Sequence, residues 1–184
     1  GQTWRIVRIN EDGTIRIVMQ GLIFDADYVF NSSNCKSYTC MYYTNSNAKK
    51  QVDSWYQNNI LSKPTLTDKI ASGNYFCEQA KIKYKDSYIS ENAIMNVYTN
   101  YIPDFKCTTD GNGKGVVNAN IGLLTYDEVV YAGGYYGKTN HNYYLYNNIK
   151  FWTMSPAAME VTMADFNVWN VEASGQINSS IIYG

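Results

Sequence analysis

Histidine, proline and net charge are all scarce in this chain. Its 184 residues include one histidine and three prolines, and 15 basic residues nearly balance 16 acidic residues. Because nucleic-acid binding requires a strongly basic surface, this near-neutral balance predicts no nucleic-acid partner. The sequence also has no apolar run of about 18 residues, so we expect no membrane-spanning segment in this chain.

The single histidine limits the catalytic mechanisms that the chain can support. His141 is the only candidate base for a serine triad, and it lies among asparagines and tyrosines without a nucleophile motif. Asp110 and Asn112 have the order of a calcium loop, but the later acidic ligands are missing, so residues 110–115 predict a turn. We therefore expect a protein that is not an enzyme, with no catalytic residues and no cofactor.

Tyrosine, in contrast, is abundant, with 18 copies beside four tryptophans. Its apolar ring and polar tip suit binding surfaces, although codon usage in an A+T-rich genome is an alternative source of the excess. Tyrosines concentrate beside amide side chains between residues 135 and 146, a composition typical of contact surfaces; the alternative is that several of them fill a sheet core. The candidate ligand-binding residues are Tyr135, Tyr136, Asn140, His141, Asn142, Tyr143 and Tyr144.

The four cysteines allow either two disulfides or a structural zinc site. Cys35 and Cys40 are spaced more widely than in a usual zinc knuckle, and the single histidine lies far downstream. Of the three possible pairings we favour Cys77–Cys107 with Cys35–Cys40, because Cys77 and Cys107 each end a short strand-like segment beside a long excursion. Two disulfides predict an exported, extracellular protein without a metal.

Alternating apolar and basic residues at positions 4–19 flank an Asp-Gly pair and predict an N-terminal β-hairpin. We expect Ile6 and Ile15 to lie on a consistent face, and likewise Arg5 and Arg16. The alternation leaves the exact pairing of the two strands open.

The segment after this hairpin, residues 21–45, has no clear period and predicts an ordered loop. Ser46 then caps an amphipathic helix that is expected to run to about Ile60, with Trp55 as its anchor in the core. Pro64 separates this helix from residues 66–70, which are expected to form one helical turn.

A second helix is predicted further along the chain, after residues 79–106, which carry no assignable pattern. Thr125 and Glu128 have the spacing of a capping box, which indicates the start of a short helix. Gly133 is a suitable C-terminal stop.

The end of the chain predicts an antiparallel sheet. An apolar strand is expected to end at Pro156, and a final hairpin is expected over residues 166–181. The expected fold is therefore α+β, with an N-terminal hairpin, one main helix, a second short capped helix and a C-terminal antiparallel sheet. Residues 1–184 are expected to form a single domain, excised from a longer protein.

Several of these segments together resemble an uncharacterised domain of surface proteins from Gram-positive, clostridial-type bacteria. The resemblance is carried by Trp-Arg-Ile-Val-Arg-Ile at residues 4–9, the helix at 46–56, Phe-Cys at 76–77, Lys-Cys at 106–107, Gly-Leu-Leu-Thr-Tyr-Asp-Glu at 122–128 and Phe-Trp-Thr-Met-Ser-Pro at 151–156. The closing half of that domain is similar to C-type-lectin-like domains and to formylglycine-generating enzymes. The resemblance therefore implies a C-type-lectin-like fold, sometimes attached to pilin-like N-terminal helices.

The resemblance implies binding rather than catalysis. The reactive cysteines of formylglycine-generating enzymes are not matched, and Val171 replaces the acidic calcium ligand of the lectin Trp-Asn-Asp motif. The expected function is an extracellular, non-catalytic adhesion or ligand-recognition module at the cell surface, with a protein or glycan as its partner. The alternative is a pilin-like structural subunit or headgroup of a surface filament, whose partners are copies of itself.

Overall fold

The computed structural model describes residues 2–23, 28–80, 101–103, 105, 107, 112–160 and 165–183, and the predicted α+β class is confirmed. The strands are β1 Trp4–Ile9, β2 Ile15–Met19, β3 Tyr75–Ala80, β4 Asn112–Asn118, β5 Tyr135–Tyr136, β6 Phe151–Glu160, β7 Asp165–Val171 and β8 Gln176–Ile181. The helices are α1 Asn47–Tyr56, α2 Pro64–Thr67 and α3 Tyr126–Tyr131, with 3-10 turns at Tyr38–Met41 and Tyr43–Asn45. None of the helices in this described part has the length and apolar character needed to cross a bilayer.

The N-terminal hairpin forms as predicted, and the face that carries its isoleucines is exposed. β1 and β2 pair antiparallel, with Ile6 opposite Ile17 and Ile9 opposite Ile15. A register shift between Ile6 and Arg8 introduces a bulge into β1. The four isoleucines share an exposed outer face, whereas the valines of both strands pack against the core.

The main helix begins as predicted, and its helical turns run to Leu61, close to the predicted end at Ile60. The Ser46 hydroxyl accepts a hydrogen bond from the Lys49 amide at 3.0 Å and caps α1. Tyr56 ends the α-helical part and is 8% exposed, and a π-helix over Gln57–Leu61 continues it. The prediction of Trp55 as a core anchor is wrong: Trp55 is half-buried, with its ring centroid 6.3 Å from that of exposed Trp4. Tyr56 enters the core instead because it follows the apolar stripe of the helix.

A second antiparallel pair consists of β3 and β4, with Cys77 opposite Val116. Because β4 begins at residue 112, the turn predicted for residues 110–115 is wrong in its described part. Glycine is depleted in strands, so the glycines of this stretch concealed β4 in the sequence. Most of residues 79–106, for which no element was predicted, lies outside the described residues.

Both predicted disulfides are confirmed. Cys35 is bonded to Cys40 with a Cα–Cα distance of 5.7 Å. Cys77 is bonded to Cys107 with a Cα–Cα distance of 5.3 Å across a sequence separation of 30. Because all four thiols are thereby paired, none is left to bind zinc.

The C-terminal sheet has the strand order β5-β8-β7-β6. The predicted antiparallel pairing holds for β6, β7 and β8, but β5 joins β8 in parallel, so the sheet is mixed. The expectation that a strand ends at Pro156 is wrong, because β6 continues to Glu160. Pro156 lies between two register shifts in a strand at the edge of this sheet, where a missing amide hydrogen is tolerated.

In the core, α3 packs against the C-terminal sheet. Trp169 is 1% exposed, and its ring centroid lies 4.8 Å from that of Tyr126 and 5.2 Å from that of Tyr136. The predicted capping box is present: the Thr125 hydroxyl accepts from the Glu128 amide at 3.1 Å, and the Glu128 carboxylate accepts from the Thr125 amide at 2.8 Å. α3 therefore begins at a capped and buried turn.

Candidate functional site

The tyrosine-rich segment, residues 132–148, leaves α3 and returns to it beside the edge of the C-terminal sheet. Its strand β5 pairs in parallel with Gln176 and Ile177 of β8. The Tyr144 amide then donates a hydrogen bond to the Ala132 carbonyl at 3.2 Å. Backbone hydrogen bonds therefore hold the segment both to the sheet and to the end of α3.

Asn140 holds the turn inside this segment. Its amide nitrogen donates to the Gly133 carbonyl at 2.8 Å, and its side-chain oxygen accepts from the Asn142 amide at 3.0 Å. Gly175 has φ 77° in the turn between β7 and β8, and a Cβ there would collide with the Asn140 carbonyl oxygen. The Asn140 side chain thus positions its neighbours, and both of its polar atoms are engaged inside the protein.

Four of the predicted ligand-binding residues are exposed. Tyr135 and Tyr144 are each 55% exposed, and His141 and Asn142 also face solvent. The His141 ring centroid lies 5.1 Å from that of Tyr146, with 33° between the planes. Such rings stack on apolar faces of a ligand, while phenol, imidazole and amide groups form hydrogen bonds with its edges.

The other two tyrosines of the prediction are packed into the molecule. Tyr143 is 6% exposed and belongs to the core, and burial raises the pKa of its phenol to about 12. Tyr136 is partly buried with its ring edge-on to Trp169. These two rings follow the alternative stated from the sequence, in which some tyrosines of the segment fill the core beneath the sheet.

Arg5 reaches the segment from the hairpin and was not identified from the sequence. Its guanidinium donates to the carbonyls of Tyr144 and Tyr146, the latter at 3.2 Å, and lies 5.7 Å from the centre of the Tyr144 ring. The alternating pattern predicted that Arg5 shares a face with Arg16. It did not identify the partners of Arg5, because these lie 139 and 141 residues further along the chain. Arg5 therefore contributes positive charge behind the exposed Tyr144 ring.

A cluster of charged residues lies elsewhere, where β2, α3 and β6 meet. It surrounds a small cavity of ≈ 40 Å³, which has room for no more than a few water molecules. Glu128 is engaged there by Arg16 and by the capping box, and Asp127 accepts a hydrogen bond from the Tyr101 hydroxyl at 2.7 Å. Ser155 accepts from the Tyr126 amide at 2.9 Å. These contacts indicate that the cluster holds β2, α3 and β6 together.

No group of three histidine, cysteine, aspartate or glutamate side chains within the described ranges is placed to hold a metal ion. The surface around Tyr144 combines exposed aromatic and amide groups with a backbone held by hydrogen bonds. Comparison with known proteins adds no assignment, because the chain matches no protein-family model, no curated protein and no solved structure.

Proposed function

We propose that this chain is an extracellular, non-catalytic recognition module of a bacterial surface protein, with a C-type-lectin-like fold. It binds a protein or glycan through a recognition surface made of Tyr135, His141, Asn142 and Tyr144. The observation that carries this proposal is the combination of exposed rings with a backbone held by Asn140 and by strand pairing. Two disulfides add support, because they are typical of proteins in oxidising compartments.

The held backbone favours binding for a thermodynamic reason. A ligand that orders a flexible loop loses part of its binding free energy to that ordering. Here Gly133, Asn140 and Asn142 are already joined by hydrogen bonds, and the Tyr144 amide is bonded to α3. Tyrosine adds large contact area with few rotatable bonds, which lowers the entropy lost on binding further.

The proposal is tested by applying the chain to immobilised arrays of glycans and of extracellular-matrix proteins. We expect binding to at least one array member, weakened roughly tenfold or more by Tyr144→Ala and by His141→Ala. Tyr75→Ala is the matched control, because Tyr75 is a tyrosine of β3 with 54% exposure, against 55% for Tyr144. Binding that persists in both site variants, or that falls equally in the Tyr75 control, would contradict the proposed surface.

The alternative function, a structural subunit of a surface filament, is favoured by a different observation. The outer face of the hairpin exposes four isoleucines, which is unusual for a surface that contacts water alone. A structural subunit requires surfaces that join copies of the chain. Loss of assembly in variants of the hairpin, with array binding unchanged, would separate this role from ligand recognition.

A further inference from the structure

The outer face of the hairpin is an apolar stripe built from three cross-strand pairs. The pairs are Trp4 with Met19, Ile6 with Ile17, and Ile9 with Ile15. None of these six side chains carries a charge. Five of them are substantially exposed: Trp4 38%, Ile6 49%, Ile9 71%, Ile15 53% and Ile17 46%.

The opposite face of the hairpin explains why the stripe points outward. Arg16 forms a salt bridge with Glu128, and Arg5 donates hydrogen bonds to the tyrosine-rich segment. Val7 and Val18 on the same face pack against the core. Turning the hairpin over to bury the isoleucines would leave the buried Glu128 carboxylate without its guanidinium, which is strongly unfavourable. The stripe is therefore held in solvent by the contacts of the inner face.

The size of the stripe sets what can cover it. Its side chains expose on the order of 500 Å² of largely apolar area, similar to the largest patches found on monomeric proteins, which are often functional. Two such stripes packed face to face would remove on the order of 1,000 Å² from water, which is near the lower limit for a specific interface. We propose that the hairpin stripe packs against the stripe of a second copy to form a two-fold dimer.

A second copy fits the stripe by chemistry and by shape. A two-fold interface places the same surface on both sides, so an uncharged aliphatic face meets another uncharged aliphatic face. Sheet faces pack about 10 Å apart with interdigitated side chains, an arrangement that two-stranded ribbons with β-branched outer residues can adopt. With an interface near the lower size limit, we expect a dimer that dissociates on dilution rather than an obligate one.

The dimer goes beyond the proposed recognition function and would change its strength. Arg5 extends from the inner face of the hairpin to the Tyr144 carbonyl, so Tyr144 of the recognition surface lies on the side opposite the stripe. Each copy in the dimer would keep its recognition surface open. Two linked surfaces would increase the apparent affinity for a multivalent cell-surface ligand by roughly 100-fold or more without any new contact.

The test is sedimentation of the 184-residue chain over a wide concentration range. We expect a reversible shift from monomer to dimer, and Ile17→Glu should raise the dissociation constant at least roughly tenfold. Ile17→Thr keeps the β-branched shape that strands favour and should weaken the dimer less, which guards against a folding defect. Ile102→Glu is the matched control, because Ile102 is 82% exposed and lies outside the hairpin.

Two outcomes would overturn the dimer. One is a chain that stays monomeric at all concentrations, and the other is a dimer that Ile17→Glu and the Ile102 control affect equally. If the chain is monomeric but binds phosphatidylcholine vesicles, and Ile17→Glu abolishes that binding, the stripe contacts lipid and the second copy is rejected. Tyr144→Ala should leave sedimentation unchanged, so failure of the dimer and failure of the recognition surface are distinguishable.

Discussion

The Arg16 guanidinium of the hairpin and the Glu128 carboxylate of α3 form a two-point salt bridge, with Nε 3.0 Å from Oε1 and Nη2 3.4 Å from Oε2. The Phe76 ring lies 4.2 Å from the same guanidinium. Burial lowers the pKa of Arg16, Glu128 acts in the opposite direction, and the guanidinium remains charged. This one side chain joins the hairpin, β3 and α3.

Arg16→Ala should lower the free energy of unfolding by about 3–5 kcal/mol, because it leaves the buried Glu128 carboxylate without its guanidinium partner. Urea unfolding followed by circular dichroism measures the change. Lys49→Ala is the control, since it breaks the more exposed pair with Asp53 on α1 and should change stability by less than about 1 kcal/mol. Equal losses in the two variants would show that the Arg16–Glu128 contact does not stabilise the fold.

Gly175 and Gly13 offer a matched pair of backbone tests. Both have positive φ, 77° and 82°, but a Cβ at Gly13 would meet nothing within 4 Å, whereas one at Gly175 would meet Asn140. Gly13→Ala should cost about 1–2 kcal/mol from left-handed strain alone. Gly175→Ala should cost about 1–3 kcal/mol more, from the added collision. Hydrogen exchange should also show faster exchange of the Asn142 amide in Gly175→Ala, and unchanged exchange would contradict the positioning role of Asn140.

The two disulfides should differ in their contribution to stability. Replacing Cys77 and Cys107 with alanine opens a loop with a sequence separation of 30, which costs about 3–4 kcal/mol in the chain-entropy estimate. The same change at Cys35 and Cys40 opens a separation of 5 and costs about 2 kcal/mol by that estimate. Unfolding in urea gives the comparison.

Intact mass spectrometry checks that the disulfides form. The non-reduced chain should weigh less than the reduced chain by two hydrogens for each of the two bridges. A chain with four free thiols would contradict the pairing. It would also remove the argument for an oxidising compartment.

Stability should fall above about pH 10, where the tyrosines of the unfolded chain begin to ionise. Tyr143 has a raised pKa of about 12 in the folded state, because burial disfavours its phenolate, and burial raises the pKa of Tyr43 in the same way. The folded state therefore keeps protons that the unfolded state releases, so this stabilisation is complete below about pH 10 and is lost as pH rises through the folded value.

Tyr143→Phe isolates this effect. The Tyr143 hydroxyl is buried, with no hydrogen-bond partner within the described structure, so its removal should leave stability at neutral pH unchanged or slightly higher. Between about pH 10 and pH 12, the variant should lose less stability than the parent chain. Identical pH dependence of the urea midpoint in both proteins would show that Tyr143 does not ionise differently on unfolding.

Features specified by neighbouring residues were predicted well. Ser46 and Thr125 cap helices through hydrogen bonds to amides three residues later, and such contacts depend on local sequence alone. The hairpin around Gly13 follows from its turn chemistry in the same way. The predictions failed where tertiary structure overrides a local rule, as at Pro156, which an edge strand accommodates with register shifts.

The candidate recognition surface could be predicted in part. A run of tyrosines and asparagines indicates a contact surface, but it does not separate the rings that face solvent from those that fill the core. Tyr143 and Tyr144 are adjacent in sequence, and yet one is 6% exposed and the other 55% exposed. The pairing of β5 with β8 and the contact of Arg5 with Tyr144, both distant in sequence, set this difference.

The sequence by itself determined the hairpin and the helix starts, because these depend on turns and caps that neighbouring residues form. Only the tertiary structure decided which face of the hairpin turns inward. An alternating strand has two faces, and the pattern alone does not say which one meets the core. Here Arg16 finds its partner Glu128 at a separation of 112 residues, and that buried ion pair leaves the isoleucines in solvent.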